Sequence, residues 1–168
     1  MQPIGPPETF YLTAAVGWLE LGDTSSAAEE LARIRPEFLE HPAVLEIRWA
    51  VCSAGNSWEA ALAIAESEVQ STPAQPGGWV HRAYALRRIR GGSLQRAWEA
   101  LLPAFEKFPK EPIIPYNLAC YAAQFGRLEE AWEWLHKAME AAGDVKSIKE
   151  MALRDRDLEA LWERVKTL

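Results

Sequence analysis

The chain has 168 residues, 49% hydrophobic and 25% charged, the proportions of a folded protein and not of a disordered one. Its net charge of −6 argues against a nucleic-acid binder, and no apolar run reaches the ~20 residues of a membrane span. Two cysteines, Cys52 and Cys120, make no disulfide framework, and residues 1–7 carry no basic or apolar leader, so a reducing cytoplasm is the expected location.

Taken in chain order, the apolar residues fall at helical spacing throughout. The first pair of helices is marked by Tyr11, Ala15 and Trp18, then Ala27, Leu31 and Ile34. The second reads Val44, Ile47 and Val51, then Ala60 and Ile64, although the pair Ala60-Ala61 leaves that register open by one residue. Trp79, Ala83 and Leu86 followed by Ala97, Leu101 and Ala104 mark the third, in which Pro103 is expected to kink the second helix. Leu118, Ala119 and Ala122 followed by Ala131, Leu135 and Ala138 mark the fourth. Beyond it, Asp144 and Asp157 have the character of N-caps. They precede two more stripes, Val145, Ile148 and Ala152, and then Leu158, Leu161, Trp162 and Val165. No segment alternates with period two, so no sheet is expected.

Three landmarks repeat along this series. Prolines at Pro7, Pro42, Pro76 and Pro112 are 35, 34 and 36 residues apart; glycines at Gly22, Gly55, Gly92 and Gly126 are 33, 37 and 34 apart. Each glycine is followed five residues later by an alanine, at Ala27, Ala60, Ala97 and Ala131. Proline suits a helix's first turn, glycine a tight exit, and alanine a close approach of two helices.

A period near 34, with tryptophan, glycine, tyrosine, alanine and proline at recurring places, resembles the tetratricopeptide repeat. The third unit, with Trp79, Ala83, Ala97 and Pro109, carries it best, and the fourth, from Tyr116 to Ala131, nearly as well. The resemblance covers about residues 8 to 142. It implies an all-α, right-handed superhelical stack of about four helix-turn-helix repeats, at 8–41, 42–75, 76–110 and 111–142. An extension at 1–7 and capping helices at 143–168 complete the expected division, the caps covering the last apolar face of the array.

Nothing in the chain converges on catalysis, a metal or a cofactor. His41, His81 and His136 lie in different units without metal-ligand spacing, and Gly77-Gly78 and Gly91-Gly92 are isolated pairs and not a phosphate loop. The expectation is a non-enzymatic adaptor with no cofactor. In the repeat family the first helix of each pair lines a concave groove. Carried over, this places Trp49, His81, Tyr84, Arg87, Arg88, Tyr116, Asn117 and Gln124 on the partner-binding surface. Aromatics and arginine are the types enriched at binding hot spots. Some members grip a terminal carboxylate with lysine, asparagine and arginine; the matching places here hold Leu12, Val16, Glu46, Gly77 and His81, so that clamp is absent.

Two readings of the partner stand side by side. One is a peptide or protein edge in the groove. The other is a peripheral adaptor tying a protein assembly to a membrane, suggested by Arg82, Arg87, Arg88, Arg90 and Arg96 and by Trp132 and Trp134, two residues apart on one helix. One of those two tryptophans is expected to be exposed. The repeat pattern does not separate bacterial kinesin-light-chain-like members, which accompany bacterial tubulin filaments, from others in the family. Self-association is open too, since Phe10 and Leu12 on the first helix have no evident cover.

Overall fold

The computed structural model describes residues 2–168; Met1, the first residue of the expected extension, lies outside them. Among the described residues there are ten α-helices, two 3-10 segments and no strand. They form two compact units, to Ser93 and from Leu94.

The first unit holds α1 (Glu8–Glu20), α2 (Thr24–Leu31), α3 (Pro42–Ala54), α4 (Trp58–Ser71) and α5 (Gly77–Leu86). The Asp23 carboxylate starts α2 by accepting from the Ser26 N–H at 2.9 Å, which also holds its pKa below the usual value. That helix stops after eight residues, and the chain turns through a 3-10 segment at Pro36–Phe38 that buries Phe38. Arg35 ties this loop to α1, laying its guanidinium on both oxygens of the buried Glu8 carboxylate. Pro42 opens α3 at a position where no intrahelical N–H is needed.

Ala15, Ala27, Leu31, Ile34, Phe38, Val44 and Val51 make one core cluster, against which Ile4, Leu12 and Ile47 pack. Leu12 is therefore covered from within, whereas Phe10 remains 66% exposed. In the second pair of helices the buried small residue is Ala61; Ala60 is exposed. The left-handed residue of that turn is Asn56 (φ 55°), one place after the landmark Gly55. Counting five from the left-handed position reaches a buried alanine from Gly22, Asn56 and Gly126 alike. The open register is thus set by which residue takes positive φ.

Between α4 and α5 the approach is closest at Gly78. A Cβ there would stand 2.7 Å from the Glu68 Cβ and 3.0 Å from the Val69 backbone nitrogen. This unit contains seven arginines and no lysine.

The second unit holds α6 (Leu94–Lys107), α7 (Ile113–Gln124), α8 (Leu128–Ala142), α9 (Val145–Ala152) and α10 (Trp162–Lys166), with a 3-10 helix at Arg156–Leu161. The helix α6 runs unbroken past Pro103, which is exposed. Leu101, Ile114, Leu118, Ala131, Leu135, Ile148, Leu158 and Val165 are buried. Trp134 is buried too, edge-on to Phe105 at 4.9 Å and to Trp98 at 6.1 Å. Trp132 is half-buried, covered by the Arg164 guanidinium at 4.2 Å and the His136 ring at 4.7 Å. Neither tryptophan is the exposed one that their spacing led us to expect, because long cationic side chains lie over these rings.

Asp144 caps α9 by accepting from the Ser147 N–H. The second cap is Asp155, not Asp157: the Asp155 carboxylate accepts from the Asp157 N–H at 2.9 Å. The segment after it forms a 3-10 helix and a short α10 in which Leu158, Leu161 and Val165 are buried and the Trp162 indole N–H reaches the Ala152 carbonyl.

Candidate functional site

Four of the residues singled out from the sequence come together in the first unit. The rings of Trp49 from α3 and His81 from α5 stack at 3.7 Å, 7° from parallel. Tyr84, one turn after His81, meets Trp49 edge-on at 6.0 Å. Arg88 lies over the Tyr84 ring at 3.4 Å and over Trp58 at 5.2 Å, with its Nη1 donating to the Tyr84 carbonyl at 3.1 Å. The result is a continuous ladder of ring, ring and guanidinium across α3, α4 and α5. All four are half-buried. Arg87 is the C-cap residue of α5, beside Arg88.

Sequence reasoning missed two members of this group. Trp58 belongs to the second helix of its pair, which the family's groove geometry leaves out. Glu68, also on α4, is 7% exposed and pairs with the His81 Nδ1 at 2.7 Å. A carboxylate this enclosed needs a hydrogen-bonding partner, and His81 meets that need while its ring stays fixed on Trp49. The signal available was Gly78, whose missing side chain lets α5 settle on the backbone at Glu68. Beside the ladder lies a cleft of about 530 Å³ lined by His41, Glu46, Glu68, Thr72 and His81, among others.

The other three sequence candidates stand in the second unit, where the C-terminal segment bonds to two of them, Tyr116 and Gln124. Tyr116 is buried, its hydroxyl donating to Asp155 at 3.1 Å; burial, with the nearby Cys120, Asp155 and Asp157, pushes the phenol pKa well up. The Cys120 thiol is directed at the same carboxylate. Gln124 is exposed but donates its amide to the Asp157 carbonyl at 3.2 Å, and the Asn117 amide turns back onto the Ile113 carbonyl. The C-terminal segment therefore engages Tyr116 and Gln124, while Asn117 is turned back on its own helix.

Two arginines of the basic run are laid on rings of the first unit: Arg82 over Trp79 at 4.8 Å and Arg88 over Tyr84. Among the described residues no group of three His, Cys, Asp or Glu side chains is placed to hold a metal ion, and no helix is long and apolar enough to cross a membrane.

No family model matches the sequence, and no curated protein matches it. Solved structures do match the fold. One is the structure titled "MamA RS-1 ArsTM double mutant", with a TM-score of 0.65 at 19% identity, covering 81% of this chain and 75% of that one. Another is TTC0263, a thermophilic TPR protein of Thermus thermophilus, with a TM-score of 0.69 at 20% identity over 96% of this chain and 100% of that one. The chain has the all-helical fold of tetratricopeptide-repeat proteins.

Proposed function

We propose that this protein is a non-enzymatic adaptor that holds a peptide or protein edge against the Trp49–His81–Tyr84–Arg88 ladder of its first unit. The observation that carries the reading is the ladder itself. Three rings and a guanidinium are fixed by one another and by the buried Glu68, so little conformational entropy is lost when a partner docks. Rigid, half-buried aromatics with an arginine are what binding hot spots are made of. The fold shared with tetratricopeptide-repeat proteins is in keeping with an interaction role. Tyr116 and Gln124 are left out of the proposed surface because the C-terminal segment already engages them, and Asn117 because its amide is turned onto the Ile113 carbonyl. The peptide reading is preferred to the membrane one because Arg82 and Arg88 are each engaged by an aromatic ring of the first unit.

Capture from a lysate of the source cells, followed by mass spectrometry, tests this with the wild type and the Trp49→Ala/Arg88→Ala double variant. Each should remain folded by circular dichroism. Partners that the wild type enriches should fall by about tenfold or more with the double variant, as for loss of two hot-spot side chains. Equal recovery would remove the ladder as the binding surface.

A further inference from the structure

The cleft beside the ladder has a charge of its own. Its walls come from the first turns of α3 and α5 and the end of α4, and no lysine or arginine lines it. The carboxylates in it are those of Glu46, on α3, and Glu68, on α4. Glu46 is exposed and makes no hydrogen bond or ion pair with any described residue. Glu68 is buried, and only its Oε2 is engaged, by the His81 Nδ1 at 2.7 Å. A carboxylate has about four acceptor positions, so most of this buried group's capacity is unfilled. The space it lines is the cleft, and a donor that completes it must come from there.

The positive features nearby do not cancel this charge. Even a protonated His81 offsets only one of the two carboxylates. The start of α5, at Gly77, brings about half a positive charge, less than one carboxylate. The start of α3 is already used, since the Ala43 N–H donates to the His41 Nδ1 at 3.3 Å. A group that fills the cleft must therefore be cationic and carry several N–H donors. Among the described residues no three His, Cys, Asp or Glu side chains are placed to chelate, so an organic cation fits and a metal ion does not. The carboxylates stand on different helices, which suits the three separate donors of an ammonium better than the flat fork of a guanidinium.

We infer that the cleft takes a lysine side chain of the partner, its ammonium donating to Glu46 and to the open oxygen of Glu68. His81 belongs to both the ladder and the cleft, so a segment laid on the rings brings a neighbouring side chain to this mouth. The inference rests on the adaptor reading for the segment that delivers the lysine, and it makes Glu46 a residue that selects the partner.

Three blocked tetrapeptides serve as probes, tyrosine-glycine-X-glycine with lysine, norleucine or glutamate at X. Each is titrated into the ¹⁵N-labelled full chain, and the Gly77 and Gly78 amide signals are followed. The lysine peptide should shift both signals saturably, bind about tenfold or more tighter than the other two, and weaken with salt. Glu46→Gln should cost the lysine peptide about threefold, and Glu46→Lys should erase its preference. Glu46 is exposed, so both variants should melt as wild type does. The inference is overturned if no peptide binds, if all three bind equally, if the glutamate peptide binds tightest, or if the lysine preference survives Glu46→Lys. The Trp49→Ala/Arg88→Ala variant separates this from the ladder. Failure of the ladder shows as unchanged affinity of every peptide for that variant, and failure of the cleft as the loss of lysine preference in the wild type.

Discussion

Replacing Gly78 with alanine would add one methyl group where α5 rests on α4. The new Cβ would lie 2.7 Å from the Glu68 Cβ, 3.0 Å from the Val69 nitrogen and 3.2 Å from the Glu68 carbonyl carbon. Two of these are backbone atoms, so no rotamer change relieves the overlap and the helices must separate. Overpacking of this kind costs roughly 1–3 kcal/mol. Alanine's better helix propensity returns up to about 0.5–1 kcal/mol, and less in a first turn. The net loss is then roughly 0.5–2 kcal/mol, at about 2–4 °C of Tm per kcal/mol for a chain of this length. Gly17, inside α1 with nothing within 4 Å of an added Cβ, supplies the control. There the same substitution should stabilise by roughly 0.5–1 kcal/mol. Thermal melts of the two variants by circular dichroism should therefore move in opposite directions. Because α5 carries His81, Gly78→Ala should also alter the near-ultraviolet signal of the aromatic ladder. A Gly78→Ala protein that melts at or above the wild-type temperature would refute the close approach, and with it the account of how Glu68 and His81 meet.

Three further outcomes follow from the geometry. The hydrogen bonds of Arg35 hold the Glu8 carboxyl below its ordinary 4.5, so its contribution is in place above that value and is lost as pH falls through the folded-state pKa. Glu8→Gln should melt below wild type near neutral pH, and the difference should shrink as pH drops below about 4, measured by melts across acid pH. Tyr116→Phe removes the bond to Asp155 and should cost about 1–2 kcal/mol while raising the rate at which Cys120 reacts with a thiol reagent. Asn56→Gly should gain up to roughly 1 kcal/mol in chemical denaturation, because Asn56 sits at φ 55°, whereas Asn56→Val should lose more than that.

The helical repeat was legible because its landmarks are backbone requirements. A residue at positive φ with a buried alanine five places on recurs in three units, at Gly22, Asn56 and Gly126. In the third unit Gly91 takes positive φ, with the buried Ala97 six places on. Ala27, Ala97 and Ala131 are buried where the count put them. It misled at Asn56, since asparagine also tolerates the left-handed region and the neighbouring Gly55 drew the count one place early. The ladder was half legible. Trp49, His81 and Tyr84 lie on first helices, and Arg88 follows the end of α5. Trp58 and Glu68 come from α4 and join only through the tight contact at Gly78, a tertiary fact with no local pattern. The bonds of Tyr116 and Gln124 to the C-terminal segment were not legible either. They depend on Asp155, and the equally suitable Asp157 two residues later offers the same capping chemistry.

The seam at Ser93 and Leu94 falls inside the third unit expected from the sequence, 76–110, between α5 and α6, so the segments expected to recur and the segments that cohere are one helix out of phase. A truncation chosen by counting repeats would end at residue 75, stripping α5 from α4 and leaving Glu68 bare of His81. A fragment ending at residue 93 retains that pairing and the whole ladder. For a chain built on a 34-residue rhythm, the module to clone, swap or duplicate is two and a half repeats long.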